Sequence, residues 1–336
     1  VLKPPRLRRG DTVGIVSPSW GGPAAFPHRL ERGVRQLEAL GFQVRLAPHA
    51  RASRGHVSAT PEQRADDLHA LFRAPEVRAI VASIGGDHSC QLLPLLDWEL
   101  IRARPKIVMG YSDITVLTVA IWATAGLITF NGPMAMTELA EYPQMPEYSE
   151  RWMLRAISRA EPIGLVEPSD WWTDELLDWT TQQDLTRPRA RQPTSGWRWL
   201  KPGCAEGILV GGCLESLQHL RGTPYWPRWE DAILLLETSE ERPSPAKVDG
   251  ILMDYENMGV LERLRGLLFG RPTGYSPEER AQLREVILER TGRYTFPIIA
   301  DMDFGHTSPM LTLPIGCRAR IDSEARRFEI LEAAVR

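Results

Sequence analysis

Short apolar runs alternate with stretches of helical period through roughly the first third of the chain. Asp11–Val16 is a brief apolar run that predicts a strand. Phe26, Leu30, Val34 and Leu37 then recur at intervals of three and four, one face of a helix, and Gly41 supplies its stop. Phe42–Ala47 reads as a second strand. Thr60-Pro61-Glu62-Gln63 places a hydroxyl at the N-cap, proline at the first helical position and an amide three residues on, which predicts a capped helix to about Arg73. Arg78–Ile84 is a third strand ending in Gly85-Gly86, and Lys106–Gly110 a fourth. Strands and helices in strict alternation predict an α/β fold, with a parallel sheet covered by helices on both faces. Sites in such sheets lie beyond the carboxyl ends of the strands, where Gly85-Gly86 and Ser112 both fall.

From about Pro162 to Pro202 the period is lost, and Pro, Trp, Thr, Asp and Arg dominate. Patterning resumes at Glu206, with strands expected at Asp231–Glu237, Leu264–Gly270, Pro297–Ala300 and within Cys317–Leu331. Val248–Asn257 reads as a helix, as does Ser276–Arg290 with its serine cap. The expected division is residues 1–165, a Trp-rich loop or linker over 166–202, and a second α/β domain over 203–336.

Composition narrows the function. The 336 residues carry a net charge of -3, a poor match to a nucleic-acid backbone or an acidic membrane surface. No apolar stretch approaches the roughly 20 residues of a membrane span, and the basic start has no apolar run behind it, so no signal peptide is expected. Cys90, Cys204, Cys213 and Cys317 show neither close pairing nor metal-ligand spacing, as in a reduced cytoplasmic protein. No metal is expected, since no metal-ligand spacing is visible, and no cofactor, since neither dinucleotide nor P-loop glycine signatures occur.

The chemistry centres on Ser112, at the bend where a short strand meets a helix. Such a bend lifts a hydroxyl clear of the sheet and leaves the next amide, that of Asp113, free as half of an oxyanion hole. Gly110-x-Ser112-x-Ile114 lacks the second glycine of the familiar elbow, and a serine N-cap is the plain alternative. A second oxyanion donor is expected from Gly85-Gly86, whose bare backbone admits a ligand closely. Of seven histidines, His28, His49, His56 and His69 read as solvated, as does His219 on its helix. His88 could line a site, and His306 stands just beyond an apolar strand with Gly305 relieving the backbone. Glu237 closes the run Ala232-Ile-Leu-Leu-Leu, where a carboxylate is costly without a partner; its rival Glu215 reads as solvated on a helix face. Seven of the eleven tryptophans fall between Trp171 and Trp229, as loop anchors or as a stacking surface for a planar group.

Gly10-Asp-Thr-Val-Gly-Ile-Val-Ser-Pro-Ser, Ile84-Gly-Gly-Asp, Gly110-Tyr-Ser-Asp-Ile-Thr, Leu209-Val-Gly-Gly-Cys-Leu, Leu235-Leu-Glu and Asp303-Phe-Gly-His occur in order along the chain. Together they resemble the LD-carboxypeptidase family of serine peptidases. The resemblance implies a triad of Ser112, Glu237 and His306 and an oxyanion hole from the Gly86 and Asp113 amides. It also implies a flavodoxin- or glutaminase-like first domain and a swivelling β/β/α second domain that supplies the glutamate and histidine. Pro168-Ser-Asp-Trp-Trp-Thr-Asp-Glu and Thr223-Pro-Tyr-Trp-Pro look like the microcin C self-immunity branch, which cleaves the amide joining an aspartate to a modified adenylate. On that likeness a peptidyl- or aminoacyl-nucleotide is the expected small-molecule substrate, with a homodimer, no nucleic-acid partner and no membrane. Gly85 and Asp87 would contact it, and Trp171, Trp172 or Trp179 would stack the base. The alternatives are a murein LD-carboxypeptidase releasing a terminal D-residue from a tetrapeptide, and a non-catalytic small-molecule binder.

Overall fold

The computed structural model describes residues 1–336 and contains two main sheets. The first has six strands in the order Leu313–Ile315, Thr129–Asn131, Ile107–Met109, Val77–Ala82, Thr12–Val16 and Gln43–Leu46. All neighbours run parallel except Leu313–Ile315, which pairs antiparallel with Thr129–Asn131. The second has eight strands, with a parallel centre of Cys204–Cys213, Ala232–Glu237, Leu264–Gly270 and Ile298–Met302. Antiparallel strands flank that centre on both sides.

The helices form where the local chemistry directs. Thr60 and Gln63 exchange the two hydrogen bonds of a capping box ahead of Pro61–Arg73, and Ser276 and Glu279 do the same ahead of Pro277–Thr291. Along Ala232–Glu237 the faces alternate. Ile233 and Leu235 belong to one buried cluster with Val13, Val81 and Phe130 of the first sheet, and Leu234 and Leu236 to another with Val116, Leu214 and Leu252. Both cores thus draw on both sheets. No helix is long and apolar enough to cross a membrane.

The two sheets do not divide the chain as simply as the sequence pattern suggests. Gly164–Val166 joins the edge of the second sheet, and Leu313–Ile315 crosses back to cover the first. That return strand is fully buried and removes an open edge beside Thr129–Asn131. The stretch expected to be irregular also holds regular pieces: a ribbon of Trp171–Trp172 with Gln192–Pro193, and the edge strand Arg198–Lys201. Their partners are distant or very short, so local periodicity carries no trace of them.

Candidate active site

Ser112 sits between the strand Ile107–Met109 and the helix Ile114–Ala125 with φ of 58°, the left-handed region. A non-glycine residue held there costs roughly 1–3 kcal/mol and needs surroundings that fix it. Those surroundings are visible. Asp113 is fully buried, and its Oδ2 accepts from the amides of His88 at 3.0 Å and Ser89 at 2.9 Å. The Ser89 hydroxyl donates to the Asp113 carbonyl at 2.8 Å. The Ser112 bend is therefore laced to the turn that follows Val77–Ala82. Gly85 presses against the serine: a Cβ on it would lie 2.9 Å from Ser112 Oγ and 3.4 Å from the Asp113 amide. Gly86 has φ of 138°, and a side chain there would meet Ser19 Oγ at 2.5 Å. The amides of Gly86 and Asp113 donate to no acceptor of the protein.

The second sheet brings the other two groups. Cys213 and Glu237 are register partners, and the Cys213 amide donates to Thr115 Oγ1 at 3.0 Å, one turn along the helix that Ser112 precedes. Glu237 is wholly buried, and its Oε2 lies 2.7 Å from His306 Nδ1. Only glycine fits over it, since a Cβ on Gly305 would stand 2.5 Å from that same oxygen. The sequence motif Gly305-His306 thus has a steric cause. Burial works to lower the His306 pKa, but Glu237 and Glu240 outweigh it and hold the imidazole well above its ordinary range. Glu240 Oε2 lies 3.0 Å from Nε2, out of line for a hydrogen bond, and no hydrogen bond joins Nε2 to Ser112.

The Trp-rich segment straps this loop down. Thr173 and Ser308 exchange backbone hydrogen bonds of 2.7 and 2.9 Å. Trp197 Nε1 donates to buried Asp303 Oδ2 at 2.7 Å, and Arg271 binds its Oδ1 at 2.8 Å. At the other end Asp184 accepts from Arg29 at 3.0 Å on the helix Pro27–Ala39 of the first layer. The segment consequently bridges both layers and roofs a cavity of about 710 Å³.

Ser112, His306, Gly85, Gly86, Asp87 and His88 all line that cavity. Glu237 stands behind His306 and does not. Of the three tryptophans proposed from sequence, only Trp179 lines it, with Phe26 edge-on at 5.4 Å and the Arg29 guanidinium 4.5 Å from its ring. Trp171 instead lies under Arg191, and buried Trp172 under Arg271 and Arg280. These two anchor the ribbon, where apolar rings next to guanidinium groups leave water together.

Several expectations need correcting. Glu215 is not solvated: it is half-buried and accepts from the Ser239 amide and hydroxyl at 3.0 and 2.7 Å, and burial pushes its pKa up. Its helix is a single turn, Leu214–Leu217, so a face inferred for a longer helix does not apply. His69 is buried, with Nε2 accepting from the Asp97 amide at 2.9 Å, and burial lowers its pKa. His56 is exposed as expected and also lines the cavity, its ring 4.5 Å from that of His88. Trp20, Phe26 and Glu240 also line it, although no sequence motif singles them out.

Residues 13–132 match the model of the LD-carboxypeptidase N-terminal domain, and residues 206–321 that of its C-terminal domain. The chain is 34% identical to YocD of Bacillus subtilis over 95% of both chains. It is 30% identical to the microcin C7 self-immunity protein MccF of Escherichia coli, over 97% of this chain and 94% of that one. It is also 31% identical to a "Probable murein peptide carboxypeptidase" of Bacillus subtilis, over 99% and 95% respectively. The structure of MccF in complex with aspartyl sulfamoyl adenosine superposes with a TM-score of 0.91 at 29% identity, covering 100% of each chain. Two domain matches in sequence order, together with full-length likeness in sequence and in fold, make this chain a member of the LD-carboxypeptidase family.

Proposed function

We propose that the protein is a serine carboxypeptidase that hydrolyses the amide between an acidic aminoacyl group and a nucleotide analogue. Ser112 Oγ attacks the scissile carbonyl while His306, oriented by Glu237, takes its proton through Nε2. The Gly86 and Asp113 amides receive the oxyanion, each such donor being worth about 3 kcal/mol in comparable enzymes. His306 then passes the proton to the leaving nitrogen, and water resolves the acyl-enzyme.

One observation carries the nucleotide reading. The cavity that holds Ser112 and His306 also holds an aromatic wall of Trp20, Phe26 and Trp179, edged by Arg29. A planar base stacks on such a wall for roughly 1–3 kcal/mol. The likeness to MccF, whose structure holds aspartyl sulfamoyl adenosine, supports the same reading. Likeness to the murein peptide carboxypeptidase favours a tetrapeptide as the second reading. The reading also includes a homodimer, which light scattering of the purified protein would detect.

Side-by-side hydrolysis of aspartyl sulfamoyl adenosine and a murein tetrapeptide separates the two substrates. The nucleotide reading expects preferential turnover of the former, with Trp179→Ala raising its KM about tenfold or more. Turnover of the tetrapeptide alone, indifferent to Trp179→Ala, would replace it with the murein reading.

A further inference from the structure

Glu240 follows Glu237 by three residues and has no part in the chemistry just described. Its side chain is 58% exposed on the cavity wall, yet Oε2 stands 3.0 Å from His306 Nε2. That is the nitrogen required to receive the Ser112 proton. Carboxylates consequently flank both ring nitrogens, Glu237 behind and Glu240 in front. Tyr111 completes the surroundings, with its ring 5.0 Å from the imidazole and its hydroxyl donating to Glu138 at 3.2 Å. The Glu240 charge so close to Nε2, though out of line for a hydrogen bond, favours the protonated ring, which is a poor base.

Something must draw Glu240 off, and the arginines that line the cavity are already engaged. Arg29 is paired with Asp184 and Glu141, Arg187 with Glu175, and Arg189 with Glu141. A substrate can bring the positive charge that these arginines do not spare. An aminoacyl substrate carries one, in the ammonium group next to its scissile carbonyl. We propose that Glu240 is a specificity-determining latch that caps His306 Nε2 until a substrate ammonium takes over its carboxylate and releases the imidazole to Ser112. On release the imidazolium gives its proton to water, and the neutral ring turns to the serine. The latch rests on the proposed aminoacyl substrate, because a tetrapeptide carries an amide and not an ammonium beside its scissile carbonyl.

Two substrates test it, aspartyl sulfamoyl adenosine and its N-acetyl form, with wild type, Glu240→Gln and Glu240→Asp. The latch expects wild type to favour the free amine by about tenfold or more in kcat/KM, with that preference lost in Glu240→Gln, chiefly through KM, and largely restored in Glu240→Asp. A neutral serine-directed fluorophosphonate gives a second readout: Glu240→Gln should label about tenfold faster near pH 6, its acid limb displaced downward by about one unit. Unchanged amine discrimination and an unchanged labelling profile in Glu240→Gln would overturn the latch while leaving Ser112 as nucleophile. Absence of labelling at Ser112 in wild type would overturn the acyl-transfer reading, and the latch with it.

Discussion

His306 Nδ1 and Glu237 Oε2 lie 2.7 Å apart although 69 positions separate them in the chain. The carboxylate is wholly buried at the end of a fully buried strand, and Gly305 leaves it only the imidazole as a partner. Such a charge fixes which ring nitrogen carries the proton and turns the other toward the cavity.

Glu237→Gln keeps the shape but removes the charge. If the imidazole works as a base, kcat should fall by about 10³- to 10⁴-fold with KM little changed. Steady-state kinetics check this, and a fall of less than about tenfold would remove Glu237 from the relay.

Gly85→Ala adds one methyl group 2.9 Å from Ser112 Oγ, at a residue whose φ is not left-handed. The backbone tolerates the change, so the fold should survive with an unaltered circular dichroism spectrum. If Ser112 is the nucleophile, its displacement by about an ångström should cost roughly 100-fold in kcat/KM.

The raised His306 pKa sets two pH dependences. Burial opposes the charge, and the Glu237 and Glu240 carboxylates overcome it. The acid limb of kcat/KM should therefore lie above about pH 6.5, the ordinary imidazole value. For stability the sign follows from the same shift. Protons held more tightly in the folded state stabilise it fully below about pH 6.5, and the gain is lost as pH rises through the folded pKa. His306→Gln should consequently lower Tm more at pH 6 than at pH 9, as scanning calorimetry would show.

Much of the scaffold is legible because local chemistry encodes it. Thr60-Pro61-Glu62-Gln63 and Ser276 announce their helices, and the apolar runs at Leu264–Gly270 and Ala232–Glu237 mark central strands. Leu313–Ile315 and Arg198–Lys201 are illegible, since each is a strand only through a partner far along the chain. The same divide runs through the site. Glu237 is conspicuous as a charge closing an apolar run, and His306 through its flanking glycine. Glu240, in an exposed polar stretch, looks like any solvated acid until the folded chain sets it against Nε2. Trp171, Trp172 and Trp179 are alike as letters, and only packing separates two arginine-covered anchors from one cavity wall.

The central claim is that Ser112 is a nucleophile activated by His306. Treating wild type, Ser112→Ala and His306→Gln with a fluorophosphonate, then mapping intact mass to peptides, tests it most directly. The account expects one phosphonyl group per chain on the Ser112 peptide, none in Ser112→Ala, and labelling slowed by about 100-fold or more in His306→Gln. An unmodified wild-type chain, or an adduct on another residue that persists in Ser112→Ala, would contradict it.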